Sequence, residues 1–163
     1  MAITKDKKRA IVAKLLGAFK EASSVTFVGF SKLTVMDASR MRRELSQAGV
    51  RYFVAKKNLI RLALSQQKYE GQIPDLPGEV AVAWTVDDIT APARSIYEHE
   101  KKLKGAIALL GGVFEGAFAD KEKIITIATI PSLPVLRGMF VRAINNPLQG
   151  LVIALDKIRE QKA

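Results

Sequence analysis

Short β-rich runs alternate with amphipathic helical stripes through most of this chain, and that alternation restricts it to an α plus β architecture. From Lys5 to Glu21 the apolar residues Ile11, Val12, Leu15, Leu16 and Phe19 recur at helical spacing, with Thr4 placed as an N-cap. Val25 to Phe30, bounded by Ser23-Ser24 and Ser31, reads as a buried strand. Thr34 with Asp37 three residues on resembles a capping box, and Ala38, Met41, Leu45 and Ala48 carry a helix to Gly49. A second strand, Val50 to Ala55, runs straight into a helix from Lys57 to Gln66. After the turn-rich stretch Tyr69 to Gly78 come a strand, Val80 to Thr85, and a helix, Ala91 to Leu103, with Pro92 in its first turn. Ala106 to Leu110 and Val113 to Phe118 flank Gly111-Gly112, as two strands or as one bent strand with a bulge. Asp120 caps a last short helix, Lys121 to Ala128.

Beyond Ile130-Pro131 the pattern turns wholly helical, with Ser132 to Asn145 and Leu148 to Gln161 separated by Asn146-Pro147. A stripe of Leu136, Phe140, Ile144, Leu148, Leu151, Val152, Leu155 and Ile158 continues through the break at spacings of three and four. Such a stripe needs a surface to pack on. It either docks on its own chain or presents itself to another protein, and its position after a complete α plus β pattern favours the second reading. An interfacial membrane helix is disfavoured, because Asp156 and Glu160 mix with Lys157 and Arg159 on the polar side. The expected organisation is a globular domain over 1–131 and a helical tail over 132–163.

Catalytic chemistry has little to work with. The 163 residues contain no Cys and one His, which excludes disulfides, thiolate metal sites and a Cys nucleophile and makes a His-based triad hard to assemble. His99 lies in the charged run Tyr97 to Lys102 and reads as part of a solvated helix face. Asp87-Asp88 precedes a helix start and reads as a cap rather than a metal site. Gly111-Gly112 with Gly116 lacks the spacing of a phosphate loop, and Trp84 reads as core. No enzyme, cofactor or metal follows from these residues. No secretory pattern opens the chain and no run of 18 apolar residues occurs, so a soluble intracellular protein without a membrane partner is expected.

The charge is informative by position. Of a net +10, residues 1–75 carry 15 basic and 6 acidic side chains, a net of +9, and residues 76–163 carry +1. A segregated excess of this kind reads as a footprint for a polyanion. Lys7, Lys8 and Arg9 open the first helix, Lys32 sits in a loop, and Arg40, Arg42 and Arg43 decorate the second helix. Arg51 follows, and Lys56, Lys57, Asn58 and Arg61 span a strand-to-helix junction, where free backbone N–H groups and the helix dipole already favour a phosphate. Only Phe30, Tyr52 and Phe53 are aromatic near this cluster, which argues against a base-stacking single-strand platform and for folded RNA read by shape and phosphates. A helix-turn-helix is excluded by the strand between the second and third helices.

Several of these segments resemble, in order, the family of bacterial large-subunit ribosomal protein ten, the stalk-base proteins. They are Leu33-Thr34-Val35, Met41 to Leu45 with Ala48-Gly49-Val50, Val54-Ala55-Lys56 with Leu59 to Leu64, Gly78 with Ala81 to Ala83, Gly112 to Gly116, and Ile130-Pro131. Lys32 stands where the family usually has Gly, and Lys57-Asn58 where it has Asn-Thr; both departures add positive charge. The resemblance implies a ferredoxin-like two-layer α/β sandwich of the α+β class, followed by an extended, Pro-broken C-terminal helical tail. It further implies binding to large-subunit rRNA beside the neighbouring stalk-base ribosomal protein, in the cytoplasm. The tail would carry acidic stalk-protein dimers that recruit translational GTPases, two of them because Pro147 leaves two segments, and the chain itself would not form a homo-oligomer. A free-standing RNA-binding regulator or ribosome assembly factor with a self-associating tail is the alternative.

Overall fold

A computed structural model describes residues 4–67, 69–103 and 105–162. The chain divides into two compact units, Met1–Ile130 and Pro131–Ala163. In the first, the elements are α1 (Lys5–Glu21), β1 (Ser24–Phe30), α2 (Val35–Gln47), β2 (Arg51–Val54), α3 (Lys57–Ser65), β3 (Glu79–Thr85), α4 (Ala91–Lys102), β4 (Ile107–Phe114), β5 (Ala117–Asp120) and α5 (Lys121–Ala128). The strands form one antiparallel sheet in the order β2-β3-β1-β4-β5.

β1 is paired along its whole length on both sides. Ser24 to Phe30 face Thr85 to Glu79 of β3 on one flank and Phe114 to Ile107 of β4 on the other. A run paired and covered on both sides has no solvent-facing side to keep polar, which is why Val25, Phe27 and Val28 are all buried and the sequence reads as continuously β-rich. The pairing with β4 slips by one residue, since Phe27 faces Gly111 while Val28 faces Leu109. Leu110 is therefore the extra residue of a bulge in one bent strand, β4, which ends at Phe114; the expected run Val113 to Phe118 is cut by a turn at Glu115-Gly116, and Ala117-Phe118 belong to β5, its hairpin partner.

The segment β1-α2-β2-β3-α4-β4 is a pair of interleaved split βαβ units, the ferredoxin-like arrangement. Alternation along the strands sorts the apolar side chains into two clusters. Val28, Ala81, Ala83 and Leu109 meet α2, α4 and α5 through Met41, Leu45, Ile96 and Ile124. Val25, Phe27, Val80, Val82 and Trp84 meet α1 and α3 through Leu15, Phe19, Ile60 and Leu64. The two expected layers are present, and α1 with α3 adds a third on the second face of the sheet.

Local signals act as their chemistry requires, with exceptions. The Thr34 hydroxyl accepts from the Asp37 amide at 3.2 Å and donates to the Asp37 carboxylate at 2.6 Å. Asp88 accepts from the amide (3.0 Å) and hydroxyl (2.9 Å) of Thr90 and pairs with Arg94 at 3.1 Å, so this acidic residue organises the start of α4. Thr4 and Asp120 occupy N-cap positions without a side-chain cap bond. His99 departs from the solvated face that its charged neighbours suggest. It is 7% exposed, with Nε2 lying 3.5 Å from Glu44 of α2, and Lys102 approaches the same carboxylate at 3.8 Å. Burial depresses its pKa, opposed in part by the Glu44 charge.

The second unit is α6, Leu133–Lys162. The helix runs through Pro147, so Asn146-Pro147 does not divide it into separate helices. Proline there removes one N–H and crowds the Ala143 carbonyl, a local defect that a helix of 30 residues accommodates. Its apolar side chains are exposed, including Leu136, Phe140, Ile144, Leu148, Leu151, Val152, Leu155 and Ile158. Among the described residues no single helix is long and apolar enough to cross a membrane.

Two stability measurements follow. A Cβ at Gly112 would sit 2.5 Å from the Val25 carbonyl oxygen and 3.0 Å from Ile124 Cδ1, so Gly112→Ala should cost about 1–3 kcal/mol in urea unfolding, and an unchanged midpoint would contradict this packing. His99 protonates near pH 6.5 in the unfolded chain but only at lower pH in the fold, so its contribution is complete above about 6.5 and is lost as pH falls below that value. Between pH 7 and 5 the unfolding free energy of His99→Gln should therefore fall less steeply than that of the parent. Parallel profiles would show that His99 carries no such linkage.

Candidate functional site

The C-terminal ends of β1 and β2 and the N-terminal end of β3 lie at one end of the sheet, as the pairs Phe30 with Glu79 and Val54 with Ala81 require. Both strand-to-helix reversals occur there, so α2 and α3 begin at the same end. At a helix start the first amides lack intrahelical partners and the peptide dipoles sum to partial positive charge. In α3 the earliest helical bonds run from Leu59 and Ile60 back to the Lys56 carbonyl at 2.8 and 3.2 Å, which leaves the amides of Lys57 and Asn58 outside the ladder.

Two adjoining cavities open at this end. One, of about 530 Å³, is lined by Phe30, Val54, Lys56, Lys57, Asn58 and Glu79, with Ile11 of α1 and Val80 among its other walls. The second, of about 450 Å³, lies between α2 and the sheet and includes Phe30, Lys32, Leu33, Arg42, Tyr52, Val54 and Glu79. Phe30, Val54 and Glu79 line both. Apolar side chains, four cations and one carboxylate line the pair, the carboxylate being common to both.

The sequence-derived candidates divide accordingly. Lys32, Arg42, Lys56, Lys57 and Asn58 are brought together around the two cavities. Lys7, Lys8 and Arg9 are exposed in the turns of α1 that lead to Ile11. Arg40 and Arg43 are exposed on α2 but line neither cavity. Arg61 is engaged instead with Asp75 at 3.4 Å. Arg51 begins β2 opposite Trp84, at the far end of that strand, and lies 3.9 Å from Glu21. Both of these pairs are exposed and add little to stability.

Lys32 has a φ of +54°, in the left-handed region that costs a side chain-bearing residue about 1–2 kcal/mol. Glycine would adopt this conformation without strain. Arg42 lies 5.8 Å from the centre of the Tyr52 ring, and burial pushes the Tyr52 phenol up to about 12 against the opposing pull of Arg42. Tyr52 therefore keeps its proton at neutral pH. On the other sheet face Lys14 lies 4.7 Å from the centre of the Phe53 ring.

Sequence reasoning passed over Glu79, Lys14 and the exposed pair Val35 and Met36 at the start of α2. Lys14 and Phe53 could have been linked only through the alternation of β2, which puts Tyr52 and Phe53 on opposite faces. Met36 falls off the stripe of Ala38, Met41 and Leu45, a signal of its exposure, whereas Val35 precedes Ala38 by three residues and its exposure follows from its place at the first position of the helix.

The arrangement is a ferredoxin-like α+β unit with a cation-rich end to its sheet, followed along the chain by a long helix with exposed apolar side chains. The family described as Ribosomal protein L10 matches residues 3–101. The chain is 33% identical to the large ribosomal subunit protein uL10 of Pelotomaculum thermopropionicum, over all of this chain and 98% of that protein. It is 29% identical to the uL10 proteins of Bacillus licheniformis and Shouchella clausii, over 96% of this chain and 94% of each of those. The chain belongs to the ribosomal protein L10 family. That family is structural and non-enzymatic.

If Lys32 is held in a glycine conformation, Lys32→Gly should raise the unfolding free energy by up to about 1 kcal/mol, the relief of strain being offset in part by the freer unfolded chain. Equilibrium denaturation checks this, and a clear loss of stability would mean that the lysine makes compensating contacts.

Proposed function

We propose that the first unit seats on large-subunit rRNA at the stalk base and that α6 anchors acidic stalk-protein dimers, which recruit translational GTPases. The observation that carries the RNA reading is the convergence of the starts of α2 and α3 with Lys32, Lys56 and Lys57 at one end of the sheet. Free amides, helix dipoles and ammonium groups all favour phosphate, and together they give a surface matched to a folded RNA backbone. Lys7, Lys8, Arg9, Arg40, Arg43, Arg51 and Arg61 extend the cationic surface, the last two with part of their charge already matched by Glu21 and Asp75.

Support for the docking role of α6 comes from the exposed stripe Leu136 to Ile158 and from charge. Between Leu133 and Lys162 five basic residues stand against two acidic ones, a net of +3 that complements an acidic partner. Helix-in-groove or bundle association would cover the apolar face. Pro147 falls near the middle of the helix and leaves one apolar stretch on either side, the basis for assigning two dimers. A neighbouring stalk-base ribosomal protein completes the assembly.

Lys32→Ala, Lys56→Ala and Lys57→Ala combined should reduce the magnitude of the salt slope of rRNA binding by about 2–3 units, at roughly 0.7–0.9 per phosphate contact. An unchanged slope would move the footprint elsewhere. Removing residues 135–163 should abolish capture of the acidic stalk dimers and leave rRNA affinity within about twofold. Loss of both activities together would overturn the division of labour, and a defined homo-oligomer of the full chain in sedimentation would favour a free-standing regulator.

A further inference from the structure

A carboxylate is out of place in a groove built for phosphates, and Glu79 stands in the wall shared by both cavities. It is exposed at the first position of β3, on the same sheet face as Phe30, its partner across the ladder. Among the described residues it makes no ion pair and no side-chain hydrogen bond, although Lys32, Arg42, Lys56 and Lys57 line the same two cavities. A residue there that served only to bind phosphate would weaken its own site by like-charge repulsion. The adjacent surface is also wrong for a backbone contact, since Phe30, Leu33, Tyr52 and Val54 offer apolar and aromatic area that phosphate cannot use.

A nucleobase uses both features. Unpaired bases in folded RNA are turned out of the stack and recognised by apolar contact and by hydrogen bonds along the Watson–Crick edge. A carboxylate offers acceptors only. Guanine presents two adjacent donors on that edge, N1–H and the N2 amino group, and so can meet both carboxylate oxygens. Adenine and cytosine place a ring-nitrogen acceptor beside their amino group, and uracil flanks its single N–H with two carbonyls, so each meets the carboxylate with repulsion as well as attraction. The cavity of about 450 Å³ is within the range of small-ligand sites, and Lys32 and Arg42 at its rim are placed to hold the flanking phosphates.

We infer that the groove between α2 and the sheet takes an unpaired guanine of the bound RNA, with Glu79 reading its Watson–Crick edge and Phe30 and Tyr52 walling the base. The inference rests on the RNA reading above and adds a base-specific contact to a surface otherwise occupied with phosphate.

The test uses the full chain and four RNA hairpins that differ only in one bulged nucleotide, titrated at low and moderate salt. The guanine bulge should bind about tenfold more tightly than the other three, a ratio that persists at both salt concentrations because a base contact releases no counterions. Glu79→Gln, an isosteric change at an exposed position, should reduce the guanine preference to within about twofold without lessening the salt slope. Equal binding of all four hairpins by the parent chain, with a steep salt dependence, would overturn the guanine site and leave the RNA surface standing. A preference that survives in Glu79→Gln would also overturn the role of Glu79, and absence of salt-dependent binding to any hairpin would count against both readings.

Discussion

The double pairing of β1 is the constraint from which the rest of the first unit follows. With β3 and β4 hydrogen-bonded to its two edges and helices against both faces, the strand has no free backbone and no solvent-facing side. Its burial forces both faces of the sheet to be covered, which accounts for α1 and α3 as well as the ferredoxin-like pair α2 and α4. It also sets the direction of the chain at each crossing. Because β1 and β2 run the same way with β3 between them, the helices that follow them start at one end of the sheet, and the cationic groove is a consequence of strand direction.

Much of this organisation is legible in the sequence, because periodicity reports burial directly. The stripes in α1 and α2, the β-rich run in β1 and the Thr34 cap can each be assigned from a few neighbouring residues. What local patterns cannot carry is pairing between distant segments. The Leu110 bulge depends on how β4 fits against β1, so Gly111-Gly112 announces irregularity without saying whether the strand ends. His99 shows the same limit from the other side. Its neighbours in sequence are charged, but the helical turn places it against α2, and burial is decided by that packing.

The candidate site is legible in composition and much less so in geometry. A positive first half identifies the module, and the junction at Lys56 to Asn58 identifies a phosphate-favouring helix start. Where each cation stands required the fold, since Arg61 turns to Asp75 and Arg51 lies at the opposite end of β2. Glu79 was invisible for a related reason. A lone acidic residue after Pro77-Gly78 looks like ordinary surface until the ladder sets it opposite Phe30 in the wall shared by two cavities.

The proline within α6 has a mechanical meaning. Each turn of a helix owes its stiffness to the hydrogen bonds that cross it, and at Pro147 one of these is missing and the ring presses on the turn before. Bending α6 therefore costs least at this point. A rod with one compliant joint keeps each half rigid while letting the two halves point in different directions, so the helix can flex at one place without unwinding elsewhere.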